Sequence, residues 1–190
     1  MSSLTLINST SLWLLSSFNL LLSVAMLRQF KDLSTQMMPS GLEVGLEKGT
    51  IAPEFEAETL LGEKVTLANY PQAVLVFISL HCSPCIGKLP MLHSLALKAK
   101  QTDVEVVLVS TDGDKAETAA FAKKHKISLP ILIAPPGNTS FVADYKVEAT
   151  PSYCFLKDGC VEAAGLFEPG TEEQLLRAWT SLVAYAGGHA

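Results

Sequence analysis

The continuous apolar run Ala73–Ile78 constrains the fold most strongly, because its Val and Ile residues predict a strand buried on both faces. Such a strand needs packed elements above and below it. Further apolar runs at 104–109 and 129–133 alternate with segments of helical character at 114–124 and 139–145. This alternation predicts an α/β domain with a central sheet and helices packed on it.

Two turn signals and an amphipathic segment complete the predicted domain. Residues 52–67 predict two short strands around a turn at Gly62, and Lys157–Asp158–Gly159 predicts a hairpin whose glycine can adopt a positive φ. Residues 172–186 predict a last helix. Its apolar face would consist of Leu175, Leu176, Trp179, Leu182 and Val183.

The N-terminal part differs from the rest in composition, because all 14 basic and 19 acidic residues lie from Arg28 onward. As a helix, residues 4–27 would span roughly 36 Å, enough to cross a hydrocarbon core of about 30 Å. We therefore predict a transmembrane anchor in contact with membrane lipid at 4–27, a linker at 28–50 and a folded domain at 51–190. The alternative is a cleaved signal peptide, although the positively charged start of such a peptide is missing.

The overall charge and the cysteine count exclude two classes of protein. A net charge of −5 without a run of Lys or Arg argues against a nucleic-acid partner. Four cysteines in 190 residues are too few for a small fold built on disulfides. The domain must therefore bury its own apolar core.

The motif that carries chemistry is Cys82–Ser83–Pro84–Cys85, which lies where the strand at 73–78 ends and a helical segment begins. Backbone N–H groups and the helix dipole stabilise a thiolate at that position. This predicts Cys82 as the nucleophile of thiol-disulfide exchange and Cys85 as the resolving cysteine. Pro84 fits the first helical turn. We expect a redox-active Cys82–Cys85 disulfide, no other cofactor and no metal.

A zinc half-site and a pair of inert buried cysteines are two other interpretations of this motif. Zinc is disfavoured because Cys154 and Cys160 form no second C-x-x-C and have no neighbouring histidine. For Cys154 we expect a buried apolar role. A two-residue turn at Asp158–Gly159 would not place Cys154 opposite Cys160 for a disulfide.

Residues 45–186 resemble the thioredoxin superfamily, and within it the membrane-tethered thiol-disulfide oxidoreductases of the TlpA and ResA type. The resemblance rests on the opening strand pair, the C-x-x-C motif, Pro90 five residues after Cys85, and Thr150–Pro151 before the hairpin. It implies a thioredoxin-like three-layer α/β/α sandwich with an N-terminal strand extension, preceded by one transmembrane helix. It also implies a cis Pro151 that shapes a substrate groove, with the Thr150 backbone free to pair with an extended client chain.

A narrower resemblance is to the MauD-type accessory proteins of methylamine utilisation, which are associated with the disulfides of periplasmic methylamine dehydrogenase. It is carried by Leu27–Gln29, Met38–Gly45 and the late segments around Gly159 and Glu172. This resemblance implies a single-pass membrane protein whose catalytic domain is extracytoplasmic, on the periplasmic side. By the positive-inside rule, Arg28 and Lys31, on the C-terminal side of the uncharged stretch, favour the opposite orientation.

Three positions near the motif depart from the family patterns. Val76 stands where cytosolic thioredoxins carry a buried Asp, and Lys88 stands where the TlpA and ResA type carries a Glu. A lysine near the pair would favour thiolates and make the disulfide a stronger oxidant. His81 directly precedes Cys82 and is either a group that polarises the thiolate or a surface residue without a role.

Together these features predict an enzyme, a membrane-anchored thiol-disulfide oxidoreductase that acts as oxidant or isomerase rather than as reductant. Its partners would be secreted or periplasmic proteins with cysteines and a membrane or extracytoplasmic redox partner. One alternative is a peroxiredoxin-like peroxidase, although Phe77–His81 does not supply the Pro-x-x-x-Thr-x-x-Cys arrangement. The other is a copper-handling thioredoxin-fold protein. Its soft ligands would be Cys82, Cys85 and either His81 or His93.

Overall fold

The computed structural model describes residues 13, 15–23, 26, 44–134, 137 and 139–186. Contacts divide the chain into two units, residues 1–42 and 43–190. The described residues of the first unit are helical. Among the described residues, no helix combines the length and hydrophobicity needed to span a membrane. The rest of the predicted anchor, and the predicted linker up to residue 43, lie outside the described residues.

The second unit alternates strands and helices as the sequence predicts. Its strands and helices, in chain order, are β1 Glu56–Thr59, β2 Lys64–Thr66, β3 Gln72–Ile78, α1 Ser83–Ala99, β4 Glu105–Ser110, α2 Lys115–Lys124, β5 Ile131–Ile133, α3 Phe141–Asp144, β6 Ser152–Lys157, β7 Cys160–Leu166 and α4 Thr171–Ala186. The predicted apolar face of α4 is confirmed at Leu175 and Leu176, which pack into the core. The side chains from residue 179 onward lie outside the described part.

The strands form one mixed sheet in the order β2-β1-β5-β4-β3-β6-β7. Strands β3, β4 and β5 are parallel neighbours, whereas β6 pairs with β3, and β1 with β5, in antiparallel fashion. In this order β3 lies inside the sheet, which explains its continuous apolar sequence. The carboxyl ends of β3 and β4 meet at the same edge.

The two faces of β3 contact two separate core clusters. Val74, Val76 and Ile78 pack into a cluster with residues of α1, α2 and α4. Leu75 and Phe77 pack into a second cluster with α3 and the residues before β1. The sheet is therefore covered on both faces, which gives the predicted three-layer arrangement.

Residues 45–51 lie along the outer edge of β7. The Gly49 N–H donates to Val161 O at 2.7 Å, and the Val161 N–H donates to Thr50 O at 2.9 Å. Gly45 has φ +97°, and a Cβ there would lie 2.8 Å from the Ala164 Cβ. The last residues of the predicted linker are therefore packed on the domain, and its compact unit begins before the predicted boundary at residue 51.

The β6–β7 hairpin has the predicted turn. Asp158 and Gly159 both have positive φ, at 50° and 76°. Two left-handed residues at the centre of a two-residue turn match the twist of the flanking strands. The register pairs Lys157 with Cys160 and Cys154 with Ala164, so Cys154 does not face Cys160, as predicted.

Candidate functional site

Helix α1 begins at Ser83, and Cys82 is its N-cap. The Cys82 backbone is extended, with φ −87° and ψ 108°, and its Sγ accepts a hydrogen bond from the Cys85 N–H at 3.4 Å. Pro84 lies in the first turn, where a missing N–H leaves no helical hydrogen bond unmade. The predicted position of the motif between a strand and a helix is confirmed.

The loop before β6, which carries Thr150 and Pro151, contacts Cys82. The Thr150–Pro151 peptide bond is cis, as the family resemblance implies. The Cys82 thiol also donates to the carbonyl oxygen of Thr150 at 3.5 Å. The structure therefore brings together five of the seven predicted site residues, namely Cys82, Pro84, Cys85, Thr150 and Pro151.

The two thiols of the motif have opposite pKa shifts. Burial raises the pKa of Cys82, but hydrogen bonds with Cys85 and Thr150 outweigh this effect, so the pKa of Cys82 lies below its usual value. Burial, followed by the hydrogen bond with Cys82, raises the pKa of Cys85 to about 11. Cys82 is partly exposed and Cys85 is buried. Cys82 is thus the accessible and more acidic thiol of the two.

The remaining two predicted residues make contacts outside the cysteine pair. The Lys88 Nζ lies 5.9 Å from the centroid of the Phe167 ring, within the range of a cation–π contact. The His81 side chain is 81% exposed, and its Nδ1 lies 3.3 Å from Asp112 Oδ2. The interactions that shift the pKa of Cys82 come instead from Cys85, Thr150 and Asp112.

Asp112 is a site residue that the sequence analysis missed. It follows β4, and its carboxylate accepts hydrogen bonds from the Leu80 N–H at 2.7 Å and the Ser79 hydroxyl at 2.6 Å. No local motif marks this residue. The available signal was topological, because the carboxyl ends of neighbouring parallel strands meet at one edge of a sheet, where α/β folds place their sites.

His93, a proposed copper ligand, is engaged elsewhere. Its Nδ1–H donates to Leu89 O at 2.9 Å, and its Nε2 accepts from the Ser128 N–H at 3.3 Å. Neither ring nitrogen is therefore free for a metal ion. In the part of the chain that the structure describes, no group of three or more His, Cys, Asp or Glu residues could hold a metal ion.

Comparisons with known proteins agree with this geometry. A profile of the AhpC/TSA family matches residues 48–167. The thioredoxin-like protein YneN of Bacillus subtilis is 32% identical over 120 residues, which are 61% of this chain and 69% of YneN. The thiol-disulfide oxidoreductase ResA of Bacillus cereus is 29% identical over 133 residues, which are 68% of this chain and 75% of ResA.

A solved structure shares the same architecture. It is a protein assigned as the thiol:disulfide interchange protein DsbE from Chlorobium tepidum, with a TM-score of 0.61 and 25% identity. The match covers 70% of this chain and 94% of that protein.

A sheet covered on both faces, with a cis proline beside a C-x-x-C motif at a helix N-terminus, defines a thioredoxin-like domain. The chain belongs to the thioredoxin-like AhpC/TSA family, and YneN and ResA are homologues. The predicted likeness to the ResA type is therefore confirmed at the level of the family. The narrower likeness to MauD-type proteins stays a prediction.

Proposed function

We propose that this protein is a thiol-disulfide oxidoreductase that exchanges disulfides with cysteines of client proteins through Cys82 and Cys85. The observation that carries the proposal is the hydrogen bonding of Cys82. Its Sγ caps α1 by accepting from the Cys85 N–H, and it lies beside the Thr150 carbonyl next to the cis proline. The hydrogen bond from the Cys85 N–H favours a thiolate at Cys82, and the partial exposure of Cys82 lets a client reach it.

The exchange reaction needs only the two thiols and a client disulfide. The Cys82 thiolate attacks one client sulfur, the client S–S bond breaks, and the departing client thiolate takes a proton from solvent. Cys85 then loses its proton to solvent and attacks the Cys82 Sγ. This attack closes the Cys82–Cys85 disulfide and releases the second client sulfur. Two electrons pass to the client, and the reverse sequence donates a disulfide instead.

Oxidation or isomerisation of clients is the proposed direction. A lowered pKa of Cys82 stabilises the reduced couple, and a couple with a stable reduced form is a stronger oxidant. Lys88 is proposed to act in the same sense through its positive charge on α1, although its amino group contacts the Phe167 ring and not a cysteine. Replacing Lys88 with Glu should then lower the reduction potential, and an unchanged potential would remove Lys88 from the argument.

Residues 4–27 are proposed to anchor the protein in a membrane, with the domain on the extracytoplasmic side. The uncharged stretch and the resemblance to MauD-type proteins support this placement. The clients would then be secreted or periplasmic proteins, including methylamine dehydrogenase during its maturation, and the redox partner would lie in or outside the membrane. Labelling of Cys82 in intact cells by a membrane-impermeant maleimide would support the placement, whereas labelling only after lysis would contradict it.

The exchange activity is tested with the full chain and reduced ribonuclease A as a model client. The oxidised protein is expected to restore ribonuclease activity in proportion to the Cys82–Cys85 disulfide consumed. Cys160→Ser serves as the matched control, because Cys160 lies next to the β6–β7 turn, at the end of the sheet opposite to the Cys82 motif. Equal rates with and without the protein, or equal rates for Cys82→Ser and the control, would contradict the proposal.

A further inference from the structure

Asp112 holds the segment that leads into the cysteine motif. Its Oδ1 accepts from the Leu80 N–H, and its Oδ2 accepts from the Ser79 hydroxyl and lies 3.3 Å from His81 Nδ1. These three consecutive residues form the whole connection from β3 to Cys82. One carboxylate from a loop more than thirty positions away in sequence therefore binds each residue of this connection.

The connection at residues 79–81 and the loop after β4, which carries Asp112 and Gly113, also pack closely against each other. Leu80 is buried, and a Cβ at Gly113 would lie 2.5 Å from the Leu80 Cδ1. Gly113 has φ +77°, a backbone conformation that favours glycine. The Cys82 N–H in turn donates to Ser79 O at 3.3 Å. A change at residue 112 is thus transmitted to the N-cap of α1 through a short, hydrogen-bonded path.

We infer that Asp112 is a positioning residue of the redox couple: it anchors residues 79–81, and it places one negative charge against the residue that directly precedes Cys82. The inference rests on the proposed function and extends it to the control of the nucleophile. It concerns a group outside the C-x-x-C motif and outside the cis-proline loop.

The electrostatics agree with this geometry. Burial raises the pKa of Asp112, but hydrogen bonds with Ser79, Leu80 and His81 outweigh it and hold the pKa below its usual value. Asp112 is therefore ionised near neutral pH. Its negative charge raises the pKa of Cys82, against the hydrogen bonds that lower it. Asp112 thus limits how much thiolate the helix N-terminus can stabilise.

Asp112→Asn in the full chain separates charge from shape, because Asn keeps an acceptor for the Leu80 N–H. We expect alkylation of Cys82 at a pH below its pKa to accelerate about two- to fivefold, as removal of one partly screened charge predicts. The glutathione equilibrium should shift toward the reduced protein, because a more stable thiolate stabilises that form. Glu162→Gln is the matched control, since it removes the same charge from β7 in an ion pair with Lys48.

Ser79→Ala tests the anchoring separately, because it removes one hydrogen bond and leaves the charge. Its Cys82 should be alkylated no faster than in the unmodified protein, and its unfolding midpoint should fall. The inference is overturned if Asp112→Asn alters only the unfolding midpoint, matches Glu162→Gln in both redox readouts, or slows alkylation. Absence of a Cys82–Cys85 disulfide in the unmodified protein would instead refute the proposed function, and the alkylation rates would still decide the role of Asp112.

Discussion

The chain has two pairs of cysteines close in sequence, and the fold places one pair in a helical turn and the other on a hairpin. Cys82 and Cys85 lie in the first turn of α1, where the backbone N–H of one reaches the sulfur of the other. Cys154 and Cys160 lie on the two strands of a hairpin and are out of register by several residues. Proximity in sequence is therefore not enough for a redox couple. The first turn of α1 brings its two cysteines together, whereas the register of the hairpin keeps Cys154 and Cys160 apart.

The environments of the sulfurs differ as much as their positions. Cys154 is 2% exposed, and burial raises the pKa of its thiol to about 12. It packs on the α3 face of the sheet, whereas Cys85 packs on the α1 face. The sheet thus separates Cys154 from the motif. Burial in an apolar cluster keeps a thiol protonated and inert.

Removing the nucleophile should give the largest contrast between the pairs. Cys82→Ser is expected to reduce disulfide exchange to the uncatalysed background, because a hydroxyl does not form the attacking thiolate. Cys154→Ser and Cys160→Ser should each retain most of the activity of the folded protein. Rates of ribonuclease reactivation, normalised to folded protein, measure the effect. Substantial activity in Cys82→Ser would contradict the assignment of the nucleophile to the Cys82–Cys85 pair.

Removing the resolving thiol should leave an intermediate. Cys85→Ser is expected to accumulate a mixed disulfide between Cys82 and the client, visible by non-reducing electrophoresis, because the second step is lost. The same variant also tests the peroxidase alternative. Peroxide consumption that persists in Cys85→Ser but disappears in Cys82→Ser would favour a peroxidase that depends on Cys82 alone.

The pH at which each thiol reacts should follow the burial of its sulfur. The pKa of Cys82 is lowered, whereas burial raises that of Cys85 to about 11 and that of Cys154 to about 12. In the reduced folded protein, alkylation of Cys82 should therefore begin at the lowest pH and that of Cys154 at the highest. Mass spectrometry of iodoacetamide-treated peptides gives the order. Labelling of Cys154 before Cys82 would contradict this account.

The smallest expected effect distinguishes the two hairpin cysteines from each other. Cys154→Ala should lower the free energy of unfolding by about 1–2 kcal/mol, because it leaves a small cavity in the core. Cys160→Ala, at a partly exposed site, should change it by less than about 0.5 kcal/mol. Urea unfolding of the two variants measures both values. Equal losses would show that burial does not distinguish these positions.

Local patterns in the sequence were sufficient for the elements and for the cysteine motif. The apolar run of β3, the Asp158–Gly159 turn and the alternating segments each carry their own signal, and all of them are confirmed. The position of Cys82 at a helix start follows from its immediate neighbours. The cis bond at Pro151 required the family resemblance, because the local sequence does not distinguish the isomers.

Contacts between distant segments could not be predicted in this way. Asp112 contacts Ser79 only because β3 and β4 are parallel neighbours. The hydrophobic periodicity of the strands does not predict their order in the sheet. Residues 45–50 have the composition of a linker, yet they hydrogen-bond to β7. The contact of the Lys88 amino group with Phe167, on the loop after β7, likewise joins segments far apart in sequence, and the predicted effect of Lys88 on the cysteines stays a prediction.

The most direct test of the central claim is a redox titration of the full chain in glutathione buffers, with disulfides mapped by mass spectrometry at each step. The account predicts a single Cys82–Cys85 disulfide, with Cys154 and Cys160 remaining thiols. It also predicts a reduction potential nearer to about −120 mV than to about −270 mV, as expected for a disulfide donor. A Cys154–Cys160 disulfide, or no disulfide at any glutathione ratio, would contradict it.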